Sequence, residues 1–399
     1  MNDATNGPAR RSRRSWLLLT LGMLAAGPAA AQEPIKIGWL PALTGPLSSS
    51  SIAEDKGVQF AVDEINAAGG INGRKVQLVT RDTEGIPTKA VNFAQQLVLA
   101  EKVQFVIGPV NSGESLATLP VISKAGIPNI IVSAVDDLIG ADKFPRAFRT
   151  INTNEQWIDA SLDYLLNGLK RRKIAIIGET SGYSVASVKS INGKLAAVGI
   201  TPVSSAVVDA NKTDLTDEIT KARQAGADVI LTWTGAVGVH ARVLNARGNI
   251  GWDVPVVAQV GILAWPVKNL VNKASYLDNV FAAGYAGTTY NAQGELPPAT
   301  AAFMKAMGTR LGEPGKIEYT MWQVALGYDC VKVIEHAIRK AGSTDGAAIQ
   351  KALEETKDLK GVFATYSWSA KDRNGVPNLD IVMNLANSYR DGNFKVAPR

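Results

Sequence analysis

The chain has 399 residues, 46% hydrophobic and 20% charged, a composition that is typical of globular domains and excludes wholesale disorder. One cysteine and two histidines exclude an intramolecular disulfide and leave little material for a metal site. The formal charge is +6, but residues 1–31 carry four arginines and one aspartate. The remainder is therefore close to neutral, which argues against a nucleic-acid partner.

The N-terminal segment has the pattern of a secretory signal peptide. Four arginines between residues 10 and 14 precede an apolar run from Trp16 to Ala26, and small residues follow as far as Ala31. We predict cleavage after Ala31 and export to the periplasm. The apolar run is too short for a membrane anchor. The general secretory route and the twin-arginine route both remain open.

Apolar periodicity then predicts an alternation of strands and helices. The first series has strands at 35–40, 76–80, 105–107 and 129–132, with helices around 58–65, from residue 87, and at 115–124. The second series has helices at 156–169, 184–197, 214–225 and 237–247, with strands at 173–177, 201–207, 228–232 and 256–258. After residue 284 helices dominate, at 298–311, 319–340 and 347–356. The pattern predicts an α/β protein with mainly parallel sheets in two lobes.

Motifs for catalysis are missing from the sequence. It contains no phosphate-binding loop, no dinucleotide fingerprint, no G-x-S-x-G elbow and no H-E-x-x-H zinc motif. His240 and His336 lie within helical patterns, and Cys330 lies in a long apolar helix. We interpret all three as structural and predict neither an enzyme nor a bound cofactor.

Two strand-to-helix junctions offer binding chemistry, because ligands of open α/β sheets bind at the carboxyl ends of the strands. The first, 108–113, combines the Ser112 hydroxyl with glycine-exposed amides at a helix start, which favours a carboxylate. The second is 133–137. Two simpler interpretations stay open: Ser112 caps the helix after it, and Ser133 or Asp136 caps the short segment after it.

Three segments carry a family resemblance: Lys36–Pro46 (KIGWLPALTGP), Gly57–Gly73 (GVQFAVDEINAAGGING) and Phe105–Ser112 (FVIGPVNS). They resemble the periplasmic Leu/Ile/Val-binding proteins, the substrate-binding subunits of bacterial ABC importers. The resemblance covers residues 33 to about 390. It implies a type I periplasmic binding protein, with two Rossmann-like lobes joined by three crossing segments and the ligand between them.

The lobe boundaries follow from this layout. We expect a signal peptide at 1–31, lobe 1 at 32–150 and 284–366, and lobe 2 at 151–283 and 367–399. The crossings are expected near Arg149, Gly284 and Tyr366.

The resemblance also implies a binding site. The serine that holds the ligand carboxylate falls on Ser112, with a neighbouring amide donor near Gly113. A backbone contact falls on Ala134, and the second-lobe tyrosine that closes on the ligand falls on Tyr183.

Departures from the family concern the ligand's ammonium group. Asp136 stands near the position of a threonine or serine. Val260 stands near that of a second-lobe acid, and its neighbour Gln259 is neutral. Trp233 lies two residues before the position of a second-lobe aromatic contact.

The predicted function is that of an exported, monomeric solute-binding protein that delivers its ligand to the permease of an ABC importer. Its ligand is an apolar, branched-chain type of amino acid or a non-amino carboxylate, aromatic acids included. The alternative is an amide or amino-acid sensor on the same fold, which the export signal disfavours.

Overall fold

A computed structural model describes residues 7, 32–45, 48–136, 139–312, 317–376 and 381–398. The predicted signal peptide at 1–31 therefore lies outside the described residues, apart from Gly7. Among the helices that are described, none is long and apolar enough to cross a membrane.

The first sheet has five parallel strands in the order β2-β1-β3-β4-β5. These strands are β1 (Ile35–Trp39), β2 (Val76–Thr80), β3 (Phe105–Ile107), β4 (Asn129–Ile131) and β5 (Ala147–Arg149). The helices between them are α1 (Ser48–Ala67), α2 (Pro87–Gln95) and α3 (Ser112–Lys124). Strands β3, β4 and β5 are buried throughout, as expected when helices cover both faces of a parallel sheet.

The second sheet has six strands in the order β14-β10-β9-β8-β6-β7, and all but β14 run parallel. The strands are β6 (Ile174–Glu179), β7 (Ser204–Val208), β8 (Val229–Trp233), β9 (Val256–Ala258), β10 (Val280–Tyr285) and β14 (Ile381–Leu385). The accompanying helices are α4 (Asn154–Asp163), α5 (Gly182–Ala197), α6 (Thr216–Gln224), α7 (Val237–Asn249) and α8 (Val267–Leu270).

The last third of the chain returns to the first sheet before it supplies β14. It contains helices α9 (Pro298–Leu311), α10 (Met321–Ala341) and α11 (Gly346–Glu354), and short strands β11 (Thr289–Tyr290), β12 (Leu359–Lys360), β13 (Thr365–Tyr366) and β15 (Phe394–Lys395). Helix α10 packs along α1. This contact requires glycine on both sides: a Cβ on Gly57 would lie 1.9 Å from the Val324 carbonyl oxygen, and one on Gly327 would lie 2.0 Å from that of Glu54.

The chain thus passes between the two sheets three times: after β5, after β10 and before β14. This confirms the predicted α/β class with two mainly parallel sheets. Two strands of the second sheet, β10 and β14, were not predicted. Helix α3 begins three residues before the predicted start, at Ser112, and α4 begins two residues before, at Asn154.

Candidate ligand-binding site

The junction between β3 and α3 is capped by Asn111, whose side-chain oxygen accepts the Gly113 amide at 2.7 Å. Ser112 is the first residue of the helix, so the interpretation of Ser112 as its cap is wrong. The Gly113 amide, predicted as a ligand donor, is occupied by this cap. The amides of Ser112 and Glu114 donate to no other residue in the described part of the chain. These two amides are free to donate hydrogen bonds to a ligand, and they lie at the N-terminus of a helix, where the helix dipole is positive.

A serine network joins this junction to the loop after β4. The Val135 amide donates to Ser112 Oγ at 3.4 Å. Ser133 Oγ donates to Ser115 Oγ at 2.8 Å, and Ser115 Oγ donates to the Pro109 carbonyl at 3.0 Å. The two junctions that the sequence singled out are therefore in direct contact.

The loop after β4 is also bound to the first turn of α4. The Asn154 amide donates to the Ala134 carbonyl at 2.8 Å, and the Glu155 amide donates to Asp136 Oδ1 at 3.2 Å. Arg149 Nη2 donates to the Val135 carbonyl at 2.5 Å. Asp136 therefore accepts an amide from the first turn of α4, a helix whose N-cap is Thr153.

Burial raises the pKa of Asp136, and the Glu155 amide and the nearby Arg149 guanidinium oppose that rise. The Asp136 carboxylate thus already has an amide donor and a cation beside it, which reduces what it has left to offer a ligand.

Tyr183 lies in the first turn of α5, at the carboxyl end of β6, and its ring is partly buried. Ser181 caps the helix, accepting the Ser184 amide at 3.2 Å. The Tyr183 hydroxyl donates to Asn154 Oδ1 at 2.8 Å. Trp233, at the end of β8, is fully buried, and its indole Nε1 donates to the same oxygen at 3.2 Å.

Gln259 follows β9 and caps the short 3₁₀ turn Val260–Leu263, accepting the Gly261 amide at 2.6 Å. His240, in α7, is fully buried beside it, and burial lowers the pKa of His240 to about 4. The histidine is therefore neutral at physiological pH. This end of the second sheet presents amide, hydroxyl and neutral imidazole groups.

Asn154 connects these groups, and it lies two residues before the helix start that the sequence predicts at residue 156. Through Asn154 the structure links predicted residues of both sheets: Ala134 by its carbonyl, and Tyr183 and Trp233 by their donors. A signal was available, because Thr153 and Gln156 form a capping box that marks the start of a helix.

Glu114 is a second residue that the sequence analysis did not single out. It lies in the first turn of α3, next to Gly113, and its side chain is fully buried. Burial raises its pKa to about 7, and the charge of Asp82 adds to the effect. Within the described residues, no group of three or more histidine, cysteine, aspartate or glutamate side chains could hold a metal ion.

Comparison with known proteins agrees with this architecture. The chain is 29% identical to Leu/Ile/Val-binding protein homolog 3 of Brucella melitensis, over 88% of this chain and 92% of the relative. It superposes with a TM-score of 0.78 on the branched-chain amino acid transporter substrate-binding protein LivJ of Streptococcus pneumoniae in complex with isoleucine. The two are 26% identical, over 91% of this chain and 99% of that one.

A further structural neighbour is a solute-binding protein of an ABC transporter from Rhodopseudomonas palustris in complex with 3,4-dihydroxybenzoic acid. Its TM-score is 0.74 at 18% identity, over 88% of this chain and 93% of that one, so it shows the fold alone. The sequence profile of periplasmic binding proteins matches residues 34–386. The chain therefore belongs to the periplasmic binding protein family, whose members are solute-binding proteins rather than enzymes.

Proposed function

We propose that this chain captures a small carboxylate between its two lobes and delivers it to the permease of an ABC importer. One observation carries the proposal: a continuous set of hydrogen bonds runs from the start of α3, through the loop after β4, to Asn154 and Tyr183. The Ser112 and Glu114 amides, with the Ser112 hydroxyl, offer the donors that a carboxylate needs.

An apolar amino acid is the first candidate ligand. The similarity to Leu/Ile/Val-binding proteins and to the isoleucine complex supports it. The Ala134 carbonyl and the Asp136 carboxylate are the acceptors in the first lobe that would meet an ammonium group. Gln259 would add a neutral contact from the second lobe.

A non-amino carboxylate is the second candidate, because the charge of the site favours it. Asp136 is already bonded to the Glu155 amide and lies near Arg149, while Gln259 and Val260 bring no charge from the second lobe. Burying an ammonium group without a charged partner costs several kcal/mol. The neighbour that holds dihydroxybenzoic acid shows that this fold accommodates such acids.

Capture would involve bending at the three crossings, near residues 150, 284 and 366, so that the lobes close on the ligand. We propose that the mature protein, without residues 1–31, works as a monomer in the periplasm. Trp233 would support the second-lobe wall through its bond to Asn154.

A thermal-shift screen of the purified mature chain tests this function. The panel contains amino acids, hydroxy acids, keto acids, aromatic acids and amides, each at about 1 mM. A ligand that binds only the folded state raises the melting temperature by mass action, so we expect stabilisation by at least one carboxylate. Stabilisation by amides alone would favour a sensor, and recovery of the chain only from the cytoplasm would contradict transport.

A further inference from the structure

We propose that one end of the second sheet binds the surface of a bilayer that contains anionic lipids. This surface, the basic end, consists of four consecutive basic residues and two exposed valines: Lys170, Arg171, Arg172, Lys173, Val198 and Val203. It lies at the amino ends of β6 and β7, whereas the candidate ligand-binding residues of this sheet follow the carboxyl ends of its strands.

The backbone of the basic run is held in place at both ends. The Arg171 amide donates to the Leu165 carbonyl at 3.0 Å, in the turn that follows α4. The Lys173 amide donates to Asp228 Oδ1 at 3.0 Å, and the Asp228 amide donates to the Lys173 carbonyl at 2.8 Å. The four basic side chains therefore extend from an ordered segment, and binding does not have to order the backbone first.

The four basic side chains are exposed and unpaired. In the described part of the chain, none of them forms an ion pair or donates a hydrogen bond to another residue. Lys194, on the neighbouring helix α5, contrasts with them, because it contacts Glu155 and Asp159 at 2.7 Å each. The charges of the basic run are thus available to a partner from outside the chain.

Few acids lie near enough to cancel this charge. Asp228 is half-buried, and Asp163 is exposed at the end of α4. Asp253 and Asp278 precede β9 and β10, further across the sheet, where their charges oppose the lowering of the Arg247 pKa by burial. The basic end therefore keeps an excess of positive charge, which attracts an anionic surface.

Val198 and Val203 add an apolar component to the basic end. They flank the short connection from α5 to β7, and they are 58% and 37% exposed. The Val203 amide donates to the carbonyl of Ile174 at 2.9 Å, which places this connection beside the basic run. On an anionic bilayer, basic groups meet lipid phosphates while apolar groups enter the interface. A nucleic acid would engage the charge alone and leave the valines in water, so the combination favours lipid.

Attachment at this end leaves the carboxyl ends of the strands free. Ligand capture could therefore continue on the membrane, and the protein would be concentrated beside the permease that it is proposed to serve. That consequence rests on the proposed function, but the lipid binding itself does not.

Sedimentation with lipid vesicles tests the proposal on the purified mature chain. One set of vesicles is phosphatidylcholine alone, and the other contains about one third phosphatidylglycerol. At about 50 mM salt we expect partitioning into the anionic vesicles to be about tenfold stronger or more, and most of this difference should disappear at about 500 mM salt. Equal binding to both kinds of vesicle, or binding to neither, would overturn the proposal.

Variants locate the binding surface. Arg171→Gln combined with Arg172→Gln should weaken partitioning about tenfold or more, and Val203→Ser should weaken it about twofold to threefold. The matched control combines Lys189→Gln with Lys305→Gln, which removes two charges from exposed lysines of α5 and α9. It should stay within about twofold of wild type. An equal loss in both double variants would show that net charge alone is responsible and would overturn the proposal.

A DNA duplex of about 20 base pairs tests the competing class of partner. Tighter binding of the duplex than of the anionic vesicles at the same salt, with Val203→Ser unchanged toward both, would assign the basic end to nucleic acid and overturn the proposal. Absence of lipid binding would leave the proposed function intact, because the ligand titrations contain no lipid.

Discussion

The backbone amide of Asn154 donates to the carbonyl of Ala134 at 2.8 Å, so the start of α4 is bound to the loop that follows β4. Ala134 precedes the first crossing of the chain and Asn154 follows it. The start of α4 is therefore fixed to the loop after β4, next to the predicted ligand contacts. In the proposed closure, the carboxyl end of β9 with Gln259 would move toward this contact between Asn154 and Ala134.

Ser112→Ala tests the carboxylate contact. Asn111 and not Ser112 caps α3, and the bond from the Val135 amide to Ser112 Oγ is long at 3.4 Å. The free energy of unfolding of Ser112→Ala should therefore differ from that of wild type by less than about 1 kcal/mol. Affinity for the carboxylate should fall by about 1–3 kcal/mol. Asn111→Ala is the control: it removes the cap and should lower stability by about 1 kcal/mol. Unchanged affinity in Ser112→Ala would remove Ser112 from the site.

Tyr183→Phe should speed ligand release. The hydroxyl is held by Asn154 in the second lobe, so it acts on the closed complex more than on the first encounter. We expect the dissociation rate, measured by stopped-flow displacement, to rise about fivefold to tenfold while the association rate stays nearly constant. Identical dissociation rates would show that Tyr183 does not contact the ligand.

Glu114→Gln should change how stability depends on pH. The folded-state pKa of Glu114 is about 7, above its ordinary value of 4.5, so the folded protein holds this proton more tightly than the unfolded chain. The resulting contribution to stability is complete below pH 4.5 and is lost as pH rises toward 7. Urea unfolding at pH 8 should therefore find Glu114→Gln more stable than wild type by about 1–3 kcal/mol, with the difference gone near pH 4.

Glu101→Gln provides the comparison for Glu114, since it changes a partly exposed ion pair with Arg81. Such pairs contribute about 0–1 kcal/mol, so its effect should be small at both pH values. A Glu114→Gln variant that is less stable than wild type at pH 8 would contradict the assignment of a costly buried carboxylate.

Asp329→Ala should destabilise the packing of α10 against residues 362–366. Asp329, in α10, is buried and accepts the amides of Val362 and Phe363 at 2.9 Å and the Tyr366 hydroxyl at 2.9 Å. Removing the acceptor leaves buried donors unpaired, so the free energy of unfolding should fall by about 3 kcal/mol or more.

The control for Asp329 is Asp159→Ala, which removes a mostly exposed ion pair with Lys194 and should cost less than about 1 kcal/mol. A loss below about 1 kcal/mol in Asp329→Ala itself would mean that these bonds do not hold the segment before β13 in place.

Apolar periodicity was sufficient to predict the helices and strands whose own residues show a clear apolar pattern. Strand β9 and helix α9 lie where the sequence predicts them, Val256–Ala258 and Pro298–Leu311. Strands β10 and β14 were missed because each is a short apolar run that can be recognised as a strand only from its pairing in the sheet. The pairing of β10 with β14 joins residues about 100 apart in the chain, and no local pattern predicts such a pairing.

The candidate site was predictable only in part, for a related reason. Ser112 and Tyr183 stand at strand-to-helix junctions, which a sequence displays. The role of Asn154 depends on Trp233, which lies 79 residues further along and turns its indole N–H toward the same oxygen. The bond from the Glu155 amide to Asp136 likewise joins residues on either side of β5. Such contacts arise from tertiary packing, and no regular spacing of residues in the sequence predicts them.

We propose that a small carboxylate binds between the two lobes at the start of α3. Titration calorimetry of the mature wild-type chain and of Ser112→Ala with leucine, 2-hydroxy-4-methylpentanoate and 4-hydroxybenzoate tests it most directly. We expect saturable binding of one molecule of at least one of these acids per chain, weakened about fivefold or more in Ser112→Ala. Absence of binding by all three, or equal affinity in both proteins, would contradict it.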